Sequence, residues 1–244
     1  MKPTHLLSGL FMCFMCFMCF AGSQNCRAQT SKIAIVSVAD TTVIYHHVGL
    51  TVFTNFIDTL HLNFSMIGQM EKTLHSYLDS VYSVKVVQLP DSVMKVKNGF
   101  FSQARTKKIK QWIRSSKDLY DFVIVIDNMG LSENDRPMRS NTSGFFSRIS
   151  YISYYSTISF FGYRTSNLKP LEYYNQGGEF LKPIKNFKLP EDRRSFTPEM
   201  RTFLYDGFKR YLDSRVEYFL AKSYLIPQDK IDAIKAEAGT TKQE

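Results

Sequence analysis

Apolar residues recur along this chain with three different spacings, and each spacing predicts a different element. Residues 32–40 and 122–127 are near-continuous apolar runs rich in Ile and Val, as in strands buried on both faces. Residues 84–89 form a shorter run, stopped by Pro90. Residues 43–45 prolong the first strand, and His46-His47-Val48-Gly49 is expected to turn the chain. Steps of three and four residues instead mark helices. Such steps connect Phe56, Ile57, Leu60, Phe64, Ile67, Leu74, Leu78 and Val81 within residues 55–82, with Gly68 and Leu62-Asn63 as the weak points of that helix. A second helix is expected over residues 102–115. A third opens at Thr197-Pro198-Glu199: Thr197 suits the N-cap, Pro198 the first helical position, and Glu199 the positive end of the helix dipole. Its stripe runs from Phe203 and Leu204 through Phe208, Leu212 and Val216 to about Ser223, and Pro227 stops it.

The third spacing is strict alternation. Between residues 150 and 163, Ile152, Tyr154, Ile158 and Phe160 point one way, and Tyr151, Ser153, Tyr155, Thr157 and Ser159 the other. Residues 171–175 are expected to pair back across Thr165-Ser166-Asn167. Residues 128–144 read as a loop, 177–196 as irregular chain, and 227–244 as a polar, partly disordered tail. Strand, helix, strand, helix, strand implies a parallel sheet with right-handed crossovers. The expected fold class is therefore α/β, with a βαβαβ parallel sheet core extended by an antiparallel hairpin and closed by a long C-terminal helix. A single such domain is expected over residues 29–226.

Composition changes this picture chiefly at the N terminus. All four cysteines, Cys13, Cys16, Cys19 and Cys26, lie in the first 26 residues. Lys2 followed by an apolar run over residues 6–21 has the form of a secretory leader, and is short for a membrane span, which needs about 20 residues. Small residues at −3 and −1 allow cleavage before Gln24 or before Gln29. The Ala28-Gln29 junction is preferred and makes residues 1–28 the signal peptide. The expected location is periplasmic, outer-membrane-associated or secreted. Neither Cys13 nor Cys26 follows a lipobox. Cys-x-x-Cys-x-x-Cys in a polar loop would suit zinc or an iron–sulfur cluster, but here Phe and Met fill the gaps, so no metal and no other cofactor is expected. The chain carries 31 Lys and Arg against 22 Asp and Glu; Lys2 and Arg27 leave with the leader, so 29 remain against 22, a net +7. For an exported protein this balance points to an anionic membrane surface or acidic glycans before nucleic acid. Lys107, Lys108 and Lys110 form one basic cluster, and Arg193 and Arg194 another.

Candidate chemistry is sparse. Asp40 and Asp127 each end a predicted parallel strand, where ligands of open α/β sheets gather. Two carboxylates there would hold Mg²⁺ or share a proton, although Asp also ends strands simply by capping turns. His46 and His47 would face opposite ways in a strand, and His61 and His75 lack the i, i+4 spacing of a helical metal site. Gly-x-Ser-x-Gly, a phosphate-binding Gly-rich loop and Gly-x-Gly-x-x-Gly are all missing from the sequence. Tyr151 and Tyr155, with Tyr163, Tyr173 and Tyr174, would form a face that stacks on sugar rings or meets a protein, or else packs beneath a helix.

Leu119-Tyr120-Asp121-Phe122-Val123-Ile124-Val125 is similar to the opening of a strand in envelope assembly proteins of the CsgG and TolB N-terminal type. Their small α/β domains place such a strand beside an opening strand like residues 32–40, followed by antiparallel strands and a helix. The leader resembles those of exported Bacteroidetes proteins. Asp40-Thr41-Thr42, Asp58-Thr59-Leu60, Asp79-Ser80-Val81 and Asp91-Ser92-Val93 resemble the tripeptides that such proteins O-glycosylate. The resemblance covers residues 31–222 in pattern. It implies a non-catalytic binding or assembly role at the envelope, with an envelope protein or a glycan as partner. Two alternatives stand beside it. One is a secreted or periplasmic hydrolase using Asp40 and Asp127. The other is a peripheral protein that meets anionic membrane through Lys107, Lys108 and Lys110.

Overall fold

The computed structural model describes residues 30–39, 41–96, 104–128, 142–171, 182–185, 187–192 and 194–233. Three lines of extended chain run side by side, each interrupted near its middle. The first is β1 (Lys32–Ser37) followed by β2 (Thr42–His47). After the edge strands β3 (Phe56–Thr59) and β4 (Ser83–Val86) come β5 (Phe122–Asn128) and β6 (Thr142–Arg148), the second line. The third is β7 (Tyr151–Ser156) and β8 (Ile158–Arg164), and a two-residue β9 (Lys182–Pro183) follows. One sheet has the order β4-β1-β5-β8 and the other β3-β2-β6-β7-β9. The order β1-β5-β8 thus recurs as β2-β6-β7, so the two sheets are successive halves of the same three lines. β1 is parallel to β4 and β5, and β2 is parallel to β6; the remaining pairs are antiparallel.

Backbone and side-chain hydrogen bonds stitch the break between the halves. The amides of Val38 and Ala39 both donate to the Ile126 carbonyl, and Thr41 Oγ1 donates to Asn128 Oδ1 at 2.7 Å. Thr157, the single residue between β7 and β8, donates from its hydroxyl to the Thr142 carbonyl at 2.8 Å. Arg215 Nη2 reaches the Ile158 carbonyl at 2.6 Å from the helix above. All but the Thr41–Asn128 pair satisfy backbone that the interrupted ladder leaves open.

Helices cover the faces. α1 (Met66–Leu78) starts where Ser65 Oγ accepts from the Gly68 amide. A short α2 (Asp91–Met94) and α3 (Ala104–Ser115) follow, and α4 (Pro198–Ser223) opens at Thr197, whose side chain accepts from the Met200 amide. Tyr224 ends α4 in the left-handed region, at φ 54°. The main core lies between α1, α4 and one face of both sheets, with Ile33, Ile124 and Phe160 from the first sheet and Tyr45, Phe145 and Tyr154 from the second. α2 and α3 seal the opposite face of the first sheet through Val93, Ile109 and Ile113. A polar ladder joins α1 to α4. Gln69 and Thr73 both donate to Asp213, and Tyr77 donates to Glu217 at 2.8 Å. Burial, then that bond, pushes the Tyr77 phenol up.

The α/β class and the parallel β4-β1-β5 core follow the sequence expectation, as does the long closing helix. Five details differ. Residues 55–82 are not one helix, because 56–59 form the edge strand β3 against β2. There Phe56 packs on Tyr45 while its neighbour Ile57 packs near Ile44 and Phe146 on the other face, the alternation of a strand. His46 and His47 belong to β2, and the turn begins at Val48. Residues 142–144, expected in a loop, start β6, and residues 150–163 are two strands split at Thr157. Residues 228–233 are helical, and Ile231 is buried in the main core, so this part of the tail is packed. The hairpin after β8 is present as the Leu171 amide bonding to the Gly162 carbonyl; residues 172–175 lie outside the described residues.

Candidate functional site

β3 and the first turns of α4 meet over one end of the second sheet. Pairing of Asp58 with Tyr45 places a carboxylate on the edge strand beside an inward-facing ring. The chain before α4 completes the site. Asp192 accepts from the Ser195 hydroxyl and from the Arg194 amide, which holds its carboxyl below the usual range and shapes a tight turn. That turn sets the Arg194 guanidinium over the Phe56 ring, 4.7 Å from its centre. Phe196 follows and packs on Tyr45 at 4.9 Å. Thr197 then starts α4, which carries Arg201, Leu204 and Tyr205 into the same space. Tyr205 donates to the His61 carbonyl across it at 3.4 Å.

The result is a cleft of about 240 Å³. Its floor is Tyr45, Phe145 and Leu204, each only 1% exposed. The exposed liners are Thr59, His61, Arg194 and Arg201, with Asp58 half-buried. An apolar, aromatic floor beneath two guanidinium groups suits a ligand with a flat or apolar body and an anionic end. Asp58 and His61 add polar groups on the β3 side, which would orient the rest of such a ligand.

Behind the floor, Ser147 bridges two side chains. Its Oγ lies 2.8 Å from the Tyr45 hydroxyl and 2.7 Å from His47 Nδ1. A Ser–His contact of this length is the geometry of an activated nucleophile. Here Ser147 is fully buried and His47 is 4% exposed and stacked on Phe56, so the hydroxyl is not presented to a substrate. The trio braces β2 against β6.

The residues singled out by sequence fall elsewhere. Asp127 lies one residue before the end of β5, and its Oδ1 is 3.4 Å from Arg105 Nη2 and accepts from the Asn128 amide at 2.8 Å. Burial pushes its carboxyl up, while Arg105 and the amide pull it back. Asp40 lies outside the described residues, as do Arg193, Tyr173, Tyr174 and the four cysteines with the rest of residues 1–29. The tyrosine face is not an open platform. Tyr155 is fully buried with Ile44 and Phe146 and donates to Thr142 Oγ1 at 3.2 Å; Tyr151 is half-buried against Phe146. Lys107, Lys108 and Lys110 are exposed on α3, away from the cleft's face of the sheets, and Lys110 sits 5.8 Å over the Tyr163 ring. His46 and His47 face opposite ways, His46 against Phe146 and His47 against Phe56. Thr59, Ser80 and Ser92 of the Asp-Ser/Thr tripeptides are exposed, on β3, after α1 and in α2.

Among the described residues, no three or more His, Cys, Asp or Glu side chains come together as a metal site, and no helix is long and apolar enough to cross a membrane. The cleft itself was missed by sequence reasoning. Its only local signal is the interleaving of Arg194 with Phe196 and of Arg201 with Tyr205, which brings cations and rings to one end of a helix. Against known proteins, no family model, no curated protein and no solved structure matches this chain.

Proposed function

We propose that this chain is an exported, non-catalytic binding protein of the cell envelope, and that the cleft under Arg194 and Arg201 is its ligand site. The observation that carries the reading is the pairing of a fully buried aromatic floor with two exposed guanidinium groups. Such a site holds an anionic, partly apolar molecule by charge-assisted bonds at the rim and by contact with the half-buried rings of Phe196 and Tyr205 that stand over the floor. The leader, with Lys2 and its apolar run over residues 6–21, supports export. Burial of Ser147 and the engagement of Asp127 by Arg105 both favour binding over hydrolysis.

Anilinonaphthalene sulfonate, an aromatic body with an anionic end, is a direct probe. Its fluorescence should rise on titration into the folded protein. Arg194→Ala with Arg201→Ala should weaken that binding about tenfold or more, the loss expected for two charge-assisted bonds. Equal binding by the double variant, with circular dichroism unchanged, would refute the assignment.

A further inference from the structure

We propose that the tip between β2 and β3, residues 50–53, inserts into a lipid bilayer surface and seats the protein there. Leu50, Val52 and Phe53 are 80%, 76% and 93% exposed. Ile149, on the turn after β6, is 49% exposed. The Val48 amide bonds to the Ser147 carbonyl at 2.9 Å, so the two turns leave the sheet side by side. Leu50, Phe53 and Ile149 border one open depression. Single exposed apolar residues are ordinary, but four large ones gathered at one end are a contact surface.

The tip is built for a low-dielectric neighbour. Residues 48–57 contain no charged side chain. The turn also satisfies much of its own backbone. The amide and hydroxyl of Thr54 both donate to the Thr51 carbonyl, at 3.1 and 2.8 Å, and the Asn55 amide donates to the Val52 carbonyl at 3.4 Å. Asn55 Oδ1 accepts from the Gly49 amide at 2.8 Å. Polar groups of the turn thus bond to one another while Leu50, Val52 and Phe53 stand exposed, as entry into the headgroup region requires. Gly49 is needed for this closure, because a Cβ there would run into the Thr54 side chain.

Size and shape select the occupant. The four apolar side chains expose on the order of 500 Å², short of the roughly 800 Å² that each partner buries in a stable protein–protein interface. A bilayer instead surrounds a convex tip on every side, so that small area is fully used. Arg148 and Arg194 flank the tip, and long basic side chains suit the headgroup level. Glu191 and Asp192 border the same depression, so local charge is balanced and apolar insertion carries the binding. The formal charge, +9 for the whole chain and +7 without residues 1–28 (29 Lys and Arg against 22 Asp and Glu), adds attraction to anionic lipid from a distance. The cleft and the depression share Arg194, so a seated tip brings the cleft's mouth to the lipid surface.

The test is cosedimentation with large vesicles of phosphatidylcholine alone and of phosphatidylcholine with phosphatidylglycerol. The protein is recovered after expression with its own leader; wild type and variants then share whatever leader residues remain, and their difference isolates the tip. Wild type should sediment with both vesicles and keep sedimenting with phosphatidylcholine in high salt. Leu50→Ser with Phe53→Ser should weaken binding about tenfold or more, because two large side chains no longer leave water. Lys107→Glu with Lys108→Glu should leave binding to phosphatidylcholine unchanged. The proposal fails if wild type does not sediment, if the tip variant sediments like wild type, or if the tip variant instead abolishes self-association measured by analytical ultracentrifugation. Matching circular dichroism and thermal midpoints keep misfolding out of the comparison.

Discussion

In the first sheet, the central strands β1 and β5 bury Ile and Val on both faces: Ile33, Val36, Ile124 and Val125 are each 2% exposed or less. In the second sheet, β6 and β7 are just as buried, yet Thr142, Ser143, Ser147, Ser153 and Ser156 stand among their aromatic residues. The first half gains stability from apolar area removed from water. The second half removes hydroxyls from water as well, and it needs partners for them. Ser143 donates to Ser156 at 3.0 Å, Tyr155 to Thr142, and Tyr45 and His47 both meet Ser147. The cleft and the apolar tip both sit on this second half, so the surface features belong to the part whose interior depends on close hydroxyl pairing.

Truncation should separate the two modes most sharply. Ile124→Ala, in the first sheet, should cost about 2–5 kcal/mol in urea unfolding, the range for emptying a buried aliphatic site. Ser143→Ala, in the second, should cost about 1–3 kcal/mol, because it leaves the Ser156 hydroxyl and the Thr157 amide short of a buried partner. Equal losses would erase the distinction. Gly144→Ala tests the second sheet in another way. Gly144 has φ +132°, and a Cβ there would strike the Ile44 carbonyl of β2. We expect a loss of about 1–3 kcal/mol from strain, with β2 and β6 forced apart. A thermal midpoint equal to wild type would show that the parallel β2–β6 pairing is looser than its register implies.

Alkaline titration probes where aromatic side chains of the second sheet meet α4. Tyr154 lies under Gly207, where any Cβ would meet its hydroxyl, and burial pushes its phenol up to about 12, with Arg210 pulling slightly against it. The folded state therefore holds the proton more tightly than the unfolded chain, whose value is near 10.0. Its contribution is fully present below pH 10 and is lost as pH rises toward 12. Holding the proton that much more tightly is worth a few kcal/mol at most. Tyr154→Phe should remove that part of the alkaline slope, leaving the parts due to Tyr77 and Tyr82, which are also raised. An unchanged slope between pH 10 and 12 would place the alkaline sensitivity elsewhere.

Legibility follows the same division. Residues 32–37 and 122–128 announced themselves because strands buried on both faces become continuous apolar runs. The N-cap of α4 was legible because Thr-Pro-Glu is local chemistry. β6 was not, since Thr-Ser-Gly-Phe-Phe-Ser-Arg has the composition of a loop until partners 13 and 14 residues away satisfy its hydroxyls. β3 mimicked a helix because Phe56, Ile57, Leu60 and Phe64 fall at helical steps; the N-cap Ser65 was the sign that the helix starts later. The cleft joins residues from 45 to 205, so no local pattern foretold it. Exposure of Leu50, Val52 and Phe53 depended on what packs nearby, which hydropathy alone does not reveal.

Asp127 gives the smallest expected effect and the sharpest sign. It sits near the end of β5 in the first sheet, the half where a charge is least at home. Burial raises its carboxyl above the ordinary 3.8 even though Arg105 and the Asn128 amide pull downward. The folded state therefore binds the proton more tightly than the unfolded chain. The contribution of this group to stability is present below about pH 3.8 and is lost as pH rises through the folded value. Asn cannot titrate, so Asp127→Asn should lack that loss. The stability of wild type relative to Asp127→Asn should therefore fall as pH rises through the mild-acid range, when both are unfolded by urea at each pH. A difference that rises instead would mean that the Arg105 pair outweighs burial. Asp127 would then be a stabilising ion pair, and the first sheet would depend on charge pairing much as the second depends on its hydroxyls.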